Sequence, residues 1–285
     1  MAPVGVQTIF HEDKETGLAE VCSEIGVPYI LSTASSSSIE EVAKANGKGP
    51  RWYQLYWPQD DDITISLLNR AKANGYKVLV VTLDTWALAW RPADLDGAYI
   101  PFIKGIGNKT GFTDPVFREK FAKKYGGTPE EKVLQASQEW AGDVFSGTAH
   151  SWEQIALLKS HWDGPIVLKG IQHPEDAKLA VQHGCDGIIV SNHGGEFCLC
   201  EIMEVLLTFS GRQLDGAVGS LEMLPEIVEA VGGQLTVLFD SGIRTGVDVI
   251  KALALGAKGV LVGRPPIYGL AVGGKVRSVA QNELQ

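Results

Sequence analysis

The chain has 285 residues, a formal net charge of −9 and 45% hydrophobic residues. This acidity, with no run of basic residues, argues against a nucleic-acid partner, and the length suits one domain of about 250 residues. No apolar run reaches the ~18 residues of a membrane span, no signal-peptide pattern opens the chain, and four cysteines form neither a disulfide framework nor a zinc spacing.

Eight apolar runs read as short buried strands, at 3–5, 28–31, 51–55, 78–81, 165–168, 187–190, 235–239 and 259–262. The first looks like the tail of a strand that begins before Met1. Continuous Val, Ile and Leu suit a parallel sheet covered on both faces. Helical signals lie between the runs. Ser38 and Glu41 have capping-box spacing ahead of a helix that stops near Asn46-Gly47. Residues 62–74 put Ile63, Leu67, Leu68 and Ala71 on one face and end at Gly75. The long stretch 104–150 reads as a lid-like loop holding one helix, 129–140. Pro174 suits a first helical turn, and a further helix covers 247–255. Strand and helix alternate over most of the chain, which predicts an α/β domain across 1–285. Eight units favour a closed (β/α)8 TIM barrel with its first strand and closing helix incomplete. An open dinucleotide-binding sheet is disfavoured, since no G-x-G-x-x-G follows the first strand.

The chemistry-bearing residues sit where these strands end. Gly187 to Val190 delivers Ser191-Asn192-His193-Gly194, an imidazole on a glycine loop and a candidate general base. Taken alone, His193 could equally be a hydrogen-bonded strand-end residue. The other strand ends carry Thr82 and Asp84, Lys169-Gly170, Asp240-Ser241-Gly242 and Gly263-Arg264. Asp84 alone could be a cap, and Arg244 and Arg264 surface charges. A lysine closing the buried run Val167-Leu168 is costly unless paired. His11, His150, His161, His173 and His183 lack such neighbours and read as solvated or satisfied polar residues; no metal is expected.

These residues carry a family resemblance. A-P-V-G-V-Q, Y-Q-L-Y-W, T-L-D-T-W, W-R-P-A-D-L-D, V-L-K-G-I, I-I-V-S-N-H-G-G, R-Q-L-D-G, F-D-S-G-I-R-T-G and L-V-G-R-P occur in one order along the chain. In that order they resemble the FMN-dependent α-hydroxy acid oxidases and dehydrogenases, and most of all the lactate 2-monooxygenase branch. The resemblance implies oxidation of a small 2-hydroxy acid, with His193 as base and Asp84 orienting it. Arg91 and Arg212 would clamp the substrate carboxylate, and Tyr56 would offer its hydroxyl. Ser32, Gln54, Thr82 and Ser191 would meet the flavin, and the backbone of Pro3, Val4 and Gly5 would pass along the ring. Lys169 would lie at its pyrimidine edge, Asp240 at the ribityl chain, and Gly242, Arg244, Gly263 and Arg264 at the phosphate. It also implies O2 as partner, a homotetramer, and a lid over 104–150 that holds the 2-oxo acid with peroxide for decarboxylation. Ala34 leaves room beside the flavin. Competing readings are an FMN barrel of the isopentenyl-diphosphate isomerase type and a catalytically impaired remnant.

The chain departs from this pattern at three places. The family's N-terminal helices, which supply a second substrate tyrosine, lie outside the sequence, and the family pattern stops after Gly274. Residues 196–211, with Cys198 and Cys200, stand between the glycine pair and Arg212-Gln213. Codons for Gly195-Glu196-Phe197 can hold a donor-like splice string, and those for Phe209-Ser210-Gly211 an acceptor-like one. We read the segment as translated intron, against the alternative of a true loop insertion. Sequencing of the spliced message is expected to join His193-Gly194-Gly195 directly to Arg212-Gln213; a message that retains these codons overturns the reading. The intact product is expected to be cytoplasmic.

Overall fold

Strands Tyr29–Ser32 (β1) and Arg51–Leu55 (β2) pair in parallel, with Tyr29 opposite Arg51 and Ser32 opposite Gln54. The structure, a computed structural model, describes residues 1–88, 96–193 and 218–283. The chain divides into two compact units, the first built from 1–77, 93–146 and 263–284 and the second from 78–92 and 147–262.

In the first unit the β pair is accompanied by helices Lys14–Glu24 (α1), Ile39–Asn46 (α2) and Asp61–Ala73 (α3). The Ser38–Glu41 capping box forms as the spacing predicts: Ser38 Oγ accepts the Glu41 N–H at 3.1 Å, and Glu41 Oε2 accepts the Ser38 N–H at 2.7 Å. The α3 start lies one residue earlier than predicted, because Asp60 Oδ1 accepts the N–H groups of Asp62 and Ile63. Leu31, Leu55, Leu67 and Leu68 are wholly buried.

Residues 3–5 form no strand, contrary to the sequence reading. Pro3 has no N–H for a ladder. The segment is instead tied down by single bonds: the Met1 amino group donates to Pro28 O at 2.8 Å, and Val6 N–H donates to Ala34 O at 2.8 Å. The fully buried Glu15 completes the attachment. Its Oε1 accepts the N–H groups of Gln7 (3.0 Å) and Ser36 (2.9 Å), and its Oε2 accepts the Ser37 hydroxyl (3.0 Å).

The stretch read as a lid-like loop is helical: Lys109–Phe112 (α4), Pro115–Tyr125 (α5) and Val133–Val144 (α6). Asp114 starts α5 by accepting the N–H groups of Val116 and Phe117 at 3.0 Å, with Pro115 in the first turn. The predicted helix over 129–140 is shifted to α6. Phe117 packs against Phe112, Phe121 and Trp140, a small aromatic core that a loop would not have. Ser66 and Arg70 of α3 reach Asp114 at 2.7 and 3.2 Å, and Lys120 reaches Asp60 at 2.6 Å. The unit ends with Arg264–Glu283 (α11), interrupted by non-helical backbone at Gly273 and Gly274.

The second unit holds five parallel strands that pair in chain order: Leu79–Thr82 (β3), Ile166–Ile171 (β4), Gly187–Val190 (β5), Thr236–Phe239 (β6) and Gly259–Val260 (β7). Helices Ile155–His161 (α7), Pro174–Gln182 (α8), Ser220–Val231 (α9) and Gly246–Ala254 (α10) alternate with them. β3, β4 and β5 are buried along their whole length, as their continuous apolar runs require. Pro174 opens α8, and His173 Nδ1 accepts the Glu175 N–H at 3.2 Å, a satisfied polar role. The parallel α/β class is thus borne out, with seven of the eight predicted strands found among the described residues. No helix among these residues is long and apolar enough to cross a membrane.

A half-buried carboxyl makes stability depend on pH. Desolvation pushes Asp143, near the end of α6, up to about 6, even though its Oδ1 accepts the Asp60 N–H at 3.0 Å. A carboxyl raised on folding contributes stability at low pH and loses it as pH rises through its folded value. Asp143→Asn is therefore expected to raise Tm by ~2–4 °C at pH 7 and to leave it unchanged at pH 4. Melting curves at the two pH values check this; an unchanged Tm at pH 7 would refute it.

Candidate active site

Strand order in the second unit brings distant residues to neighbouring strand ends. In a parallel sheet all carboxyl ends lie on one side, so Asp84 and Thr85 after β3, Lys169 on β4, Ser191 and His193 after β5 and Asp240 after β6 come together. Asp84 is fully buried, and its Oδ1 accepts a bond from His193 Nδ1 at 2.7 Å. A carboxylate at Nδ1 makes that nitrogen the protonated one and Nε2 the basic one. The reading of Asp84 as an ordinary cap does not survive this geometry. His193 has left-handed backbone, φ 57°, and its N–H donates to Ser191 Oγ at 3.0 Å.

Lys169 is 2% exposed, and its pairing explains how a lysine can end a buried run. Its Nζ lies 3.4 Å from Asp240 Oδ2 and 3.9 Å from Asp84 Oδ2, and it donates to Ser191 Oγ at 3.0 Å. Asp240 is held by Ser241 Oγ at Oδ1, and its carbonyl by Ser220 Oγ, both at 3.0 Å. The Asp84 carboxylate at Nδ1 stabilises a protonated imidazole, so His193 is placed to receive a proton. Thr85 was given no role from sequence. Its Oγ1 lies 3.1 Å from His193 Nδ1 and donates to Asp84 Oδ1 at 3.4 Å. A threonine next to an aspartate carries no distinguishing sequence signal.

The first unit carries a separate polar set at its strand ends. Gln54 Oε1 accepts Ser32 Oγ and the Thr33 N–H, each at 3.1 Å, which fixes the orientation of its amide nitrogen. Thr33, also given no role from sequence, donates through Oγ1 to Gln54 O at 2.7 Å and accepts the Tyr56 N–H at 3.0 Å. The Tyr56 ring packs on Phe145, centroids 5.1 Å apart, and Phe145 packs on Phe102 at 5.7 Å. Pro3 to Gly5 runs beside Ala34, where a Cβ on Gly5 would lie 2.5 Å from Ala34 O, so only glycine lets the two backbones approach this closely. Gly263 and Arg264 open α11 in this unit.

Thr82 ends β3 opposite Lys169 in register. Gly242 has φ +81° and precedes the capping box of α10, in which Asp248 Oδ2 accepts the N–H groups of Arg244 and Thr245 at 3.0 and 2.9 Å. The Arg244 guanidinium donates through Nη1 to Ile243 O at 3.2 Å. Arg91, Arg212 and the 196–211 segment lie outside the described residues. Among the described residues, no group of three or more His, Cys, Asp or Glu could hold a metal ion.

The donors of the second unit are of the kinds a flavin mononucleotide takes. The Ser191 hydroxyl accepts from both Lys169 and the His193 N–H, so its own proton remains for an acceptor. Lys169 offers a buried cation and Asp240 a carboxylate. Within the first unit, Gln54 presents an oriented amide, and Gly5 keeps the backbone beside Ala34 bare.

Comparison with known proteins agrees. The chain is 60% identical over 275 residues to the FMN-dependent alpha-hydroxy acid dehydrogenase qulF of Penicillium citrinum, covering 96% of this chain and 64% of that protein. It is 42% identical to an L-lactate oxidase of Lysinibacillus sphaericus, covering 96% of this chain and 65% of the relative. The chain therefore spans just under two thirds of the length of these relatives. A crystal structure of mandelate oxidase superposes with a TM-score of 0.78 at 36% identity, covering 100% of this chain and 70% of the other. The sequence model of the FMN-dependent dehydrogenase family matches residues 1–281, and the chain belongs to that FMN-dependent family.

Proposed function

We propose that the protein oxidises a small L-2-hydroxy acid to the 2-oxo acid with FMN as cofactor. The observation that carries this reading is the buried Asp84–His193 pair with Lys169 beside it. The substrate carbinol loses two protons and two electrons; His193 Nε2 receives one proton, and the other hydrogen would leave with the electron pair to the flavin. Asp84 holds the imidazole by Nδ1 and stabilises the cation that forms; Thr85 adds a hydroxyl beside the same nitrogen. FMN, when bound, accepts the two electrons.

Lys169 is assigned to the flavin as a fixed cation, and Ser32, Gln54, Thr82 and Ser191 as its hydrogen-bonding partners. The Pro3–Val4–Gly5 backbone is assigned to its face. Asp240 is assigned to the ribityl hydroxyls, and Gly242, Arg244, Gly263 and Arg264 to the phosphate. Arg91 and Arg212 are assigned to the substrate carboxylate, where a planar guanidinium pairs bidentately. Tyr56 is assigned to the same substrate. The closed eightfold barrel belongs to this proposal, as do O2 as partner and a homotetramer.

Lactate as substrate and decarboxylation of the oxo acid form the finer part of the proposal. In their support, the insert carries its own aromatic core and ends in Phe145 against Tyr56, as a fixed cover would. The proton-accepting pair favours oxidation over the isomerase-type alternative.

An anaerobic flavin spectrum before and after L-lactate tests the reading. Bleaching is expected. Its rate should fall ~10²–10⁴-fold in His193→Asn and ~10–10²-fold in Asp84→Asn, with flavin still bound. Bound flavin that no 2-hydroxy acid bleaches would leave the remnant reading. Product analysis in air separates 2-oxo acid plus peroxide from a decarboxylated acid.

A further inference from the structure

The partner of His193 owes its place to a residue that has no side chain. β4 pairs with β5 through Val167, Leu168 and Lys169, and then its register shifts between Lys169 and Ile171. Gly170 occupies the shift, with φ +103°, a conformation that side-chain-bearing residues rarely adopt. A Cβ there would stand 2.7 Å from Asp84 Cβ, 2.8 Å from its Cγ and 3.0 Å from Oδ2. Real carbon atoms do not approach each other so closely. The preceding residue is directed at the same carboxylate, since Lys169 Nζ lies 3.9 Å from Asp84 Oδ2. In a regular strand successive residues face opposite sides, so two in a row cannot meet one side chain. The irregularity at Gly170 removes that restriction.

We propose that Gly170 is a positioning residue for proton transfer. The bulge and the missing Cβ together form the seat of the Asp84 carboxylate and set its 2.7 Å contact with His193 Nδ1. Any side chain at 170 drives the carboxylate away from the imidazole. The proposal rests on the reading of Asp84 and His193 as the proton-handling pair, and it touches neither arginine assigned to the substrate carboxylate.

A double-mutant cycle on the flavin-loaded protein tests it, using Gly170→Ala, Asp84→Gly and the double variant. Gly170→Ala is expected to lower the limiting rate of anaerobic bleaching by ~30-fold or more, as a displacement near 1 Å can. The L-lactate concentration giving half the limiting rate should stay within about twofold, since uniform substrate binding is untouched. In the Asp84→Gly background, which removes Cβ as well as the carboxylate and so empties the seat, the same substitution should change the residual rate by less than about twofold. Equal losses in both backgrounds, or a wild-type rate for Gly170→Ala, would overturn the proposal.

The melting temperatures of the four proteins give a second, activity-free cycle. Asp84→Gly should restore part of the stability that Gly170→Ala removes; equal destabilisation in both backgrounds refutes the collision with Asp84. If the wild-type chain binds flavin yet no hydroxy acid bleaches it, the functional reading fails. The melting cycle still decides the seat.

Discussion

A buried ammonium between two carboxylates is the constraint on which the second unit depends. A lysine buried at the end of a strand is costly unless paired, and Lys169 lies against both Asp84 and Asp240. Each charge lies on a different strand, so the sheet must hold its register for the charges to meet. His193 enters the group through Asp84, and Ser191 links the lysine to the histidine backbone. Such a group costs stability when any member is missing, so it acts as a test of correct strand pairing.

The backbone around this group is held in uncommon conformations. Gly170, His193, Ser241 and Gly242 all have positive φ, and three of the four directly follow strands that carry the cluster. Left-handed backbone at His193 and Ser241 carries strain that glycine would avoid. At His193 it accompanies a loop whose N–H returns to Ser191, while the imidazole reaches Asp84. At Gly170 it makes room for the carboxylate. Strain and charge are thus concentrated at the same strand ends.

The first unit reaches a comparable order by a different route. Neutral hydrogen bonds hold Ser32, Thr33 and Gln54 in place, and the buried Glu15 ties the N-terminal segment to the loop after β1. The helical insert rests on α3 through Asp114, Arg70 and Lys120. An anchored insert is a fixed wall beside Tyr56, a different device from a mobile loop.

The sequence by itself determined the strand–helix alternation, the caps at Ser38 and Pro174, and the type of residue at each strand end. These are local properties: a continuous Val/Ile/Leu run, a capping spacing or a lysine after a buried run needs no distant partner to be recognised. It misread residues 3–5 as a strand, because an apolar triplet does not reveal that its neighbours Met1 and Val6 hold it by bonds to Pro28 O and Ala34 O. It placed one helix in 104–150 where the structure has three, because a helix with an aromatic core looks weakly patterned until Phe117 meets Trp140. Only the tertiary structure decided that Asp84 faces His193 rather than capping its own strand. It also brought Thr85 to the same imidazole and gave Gly170 its place under the carboxylate. Those outcomes depend on strand register across more than a hundred residues of intervening chain between Asp84 and His193, and register is fixed by packing, which no local pattern encodes.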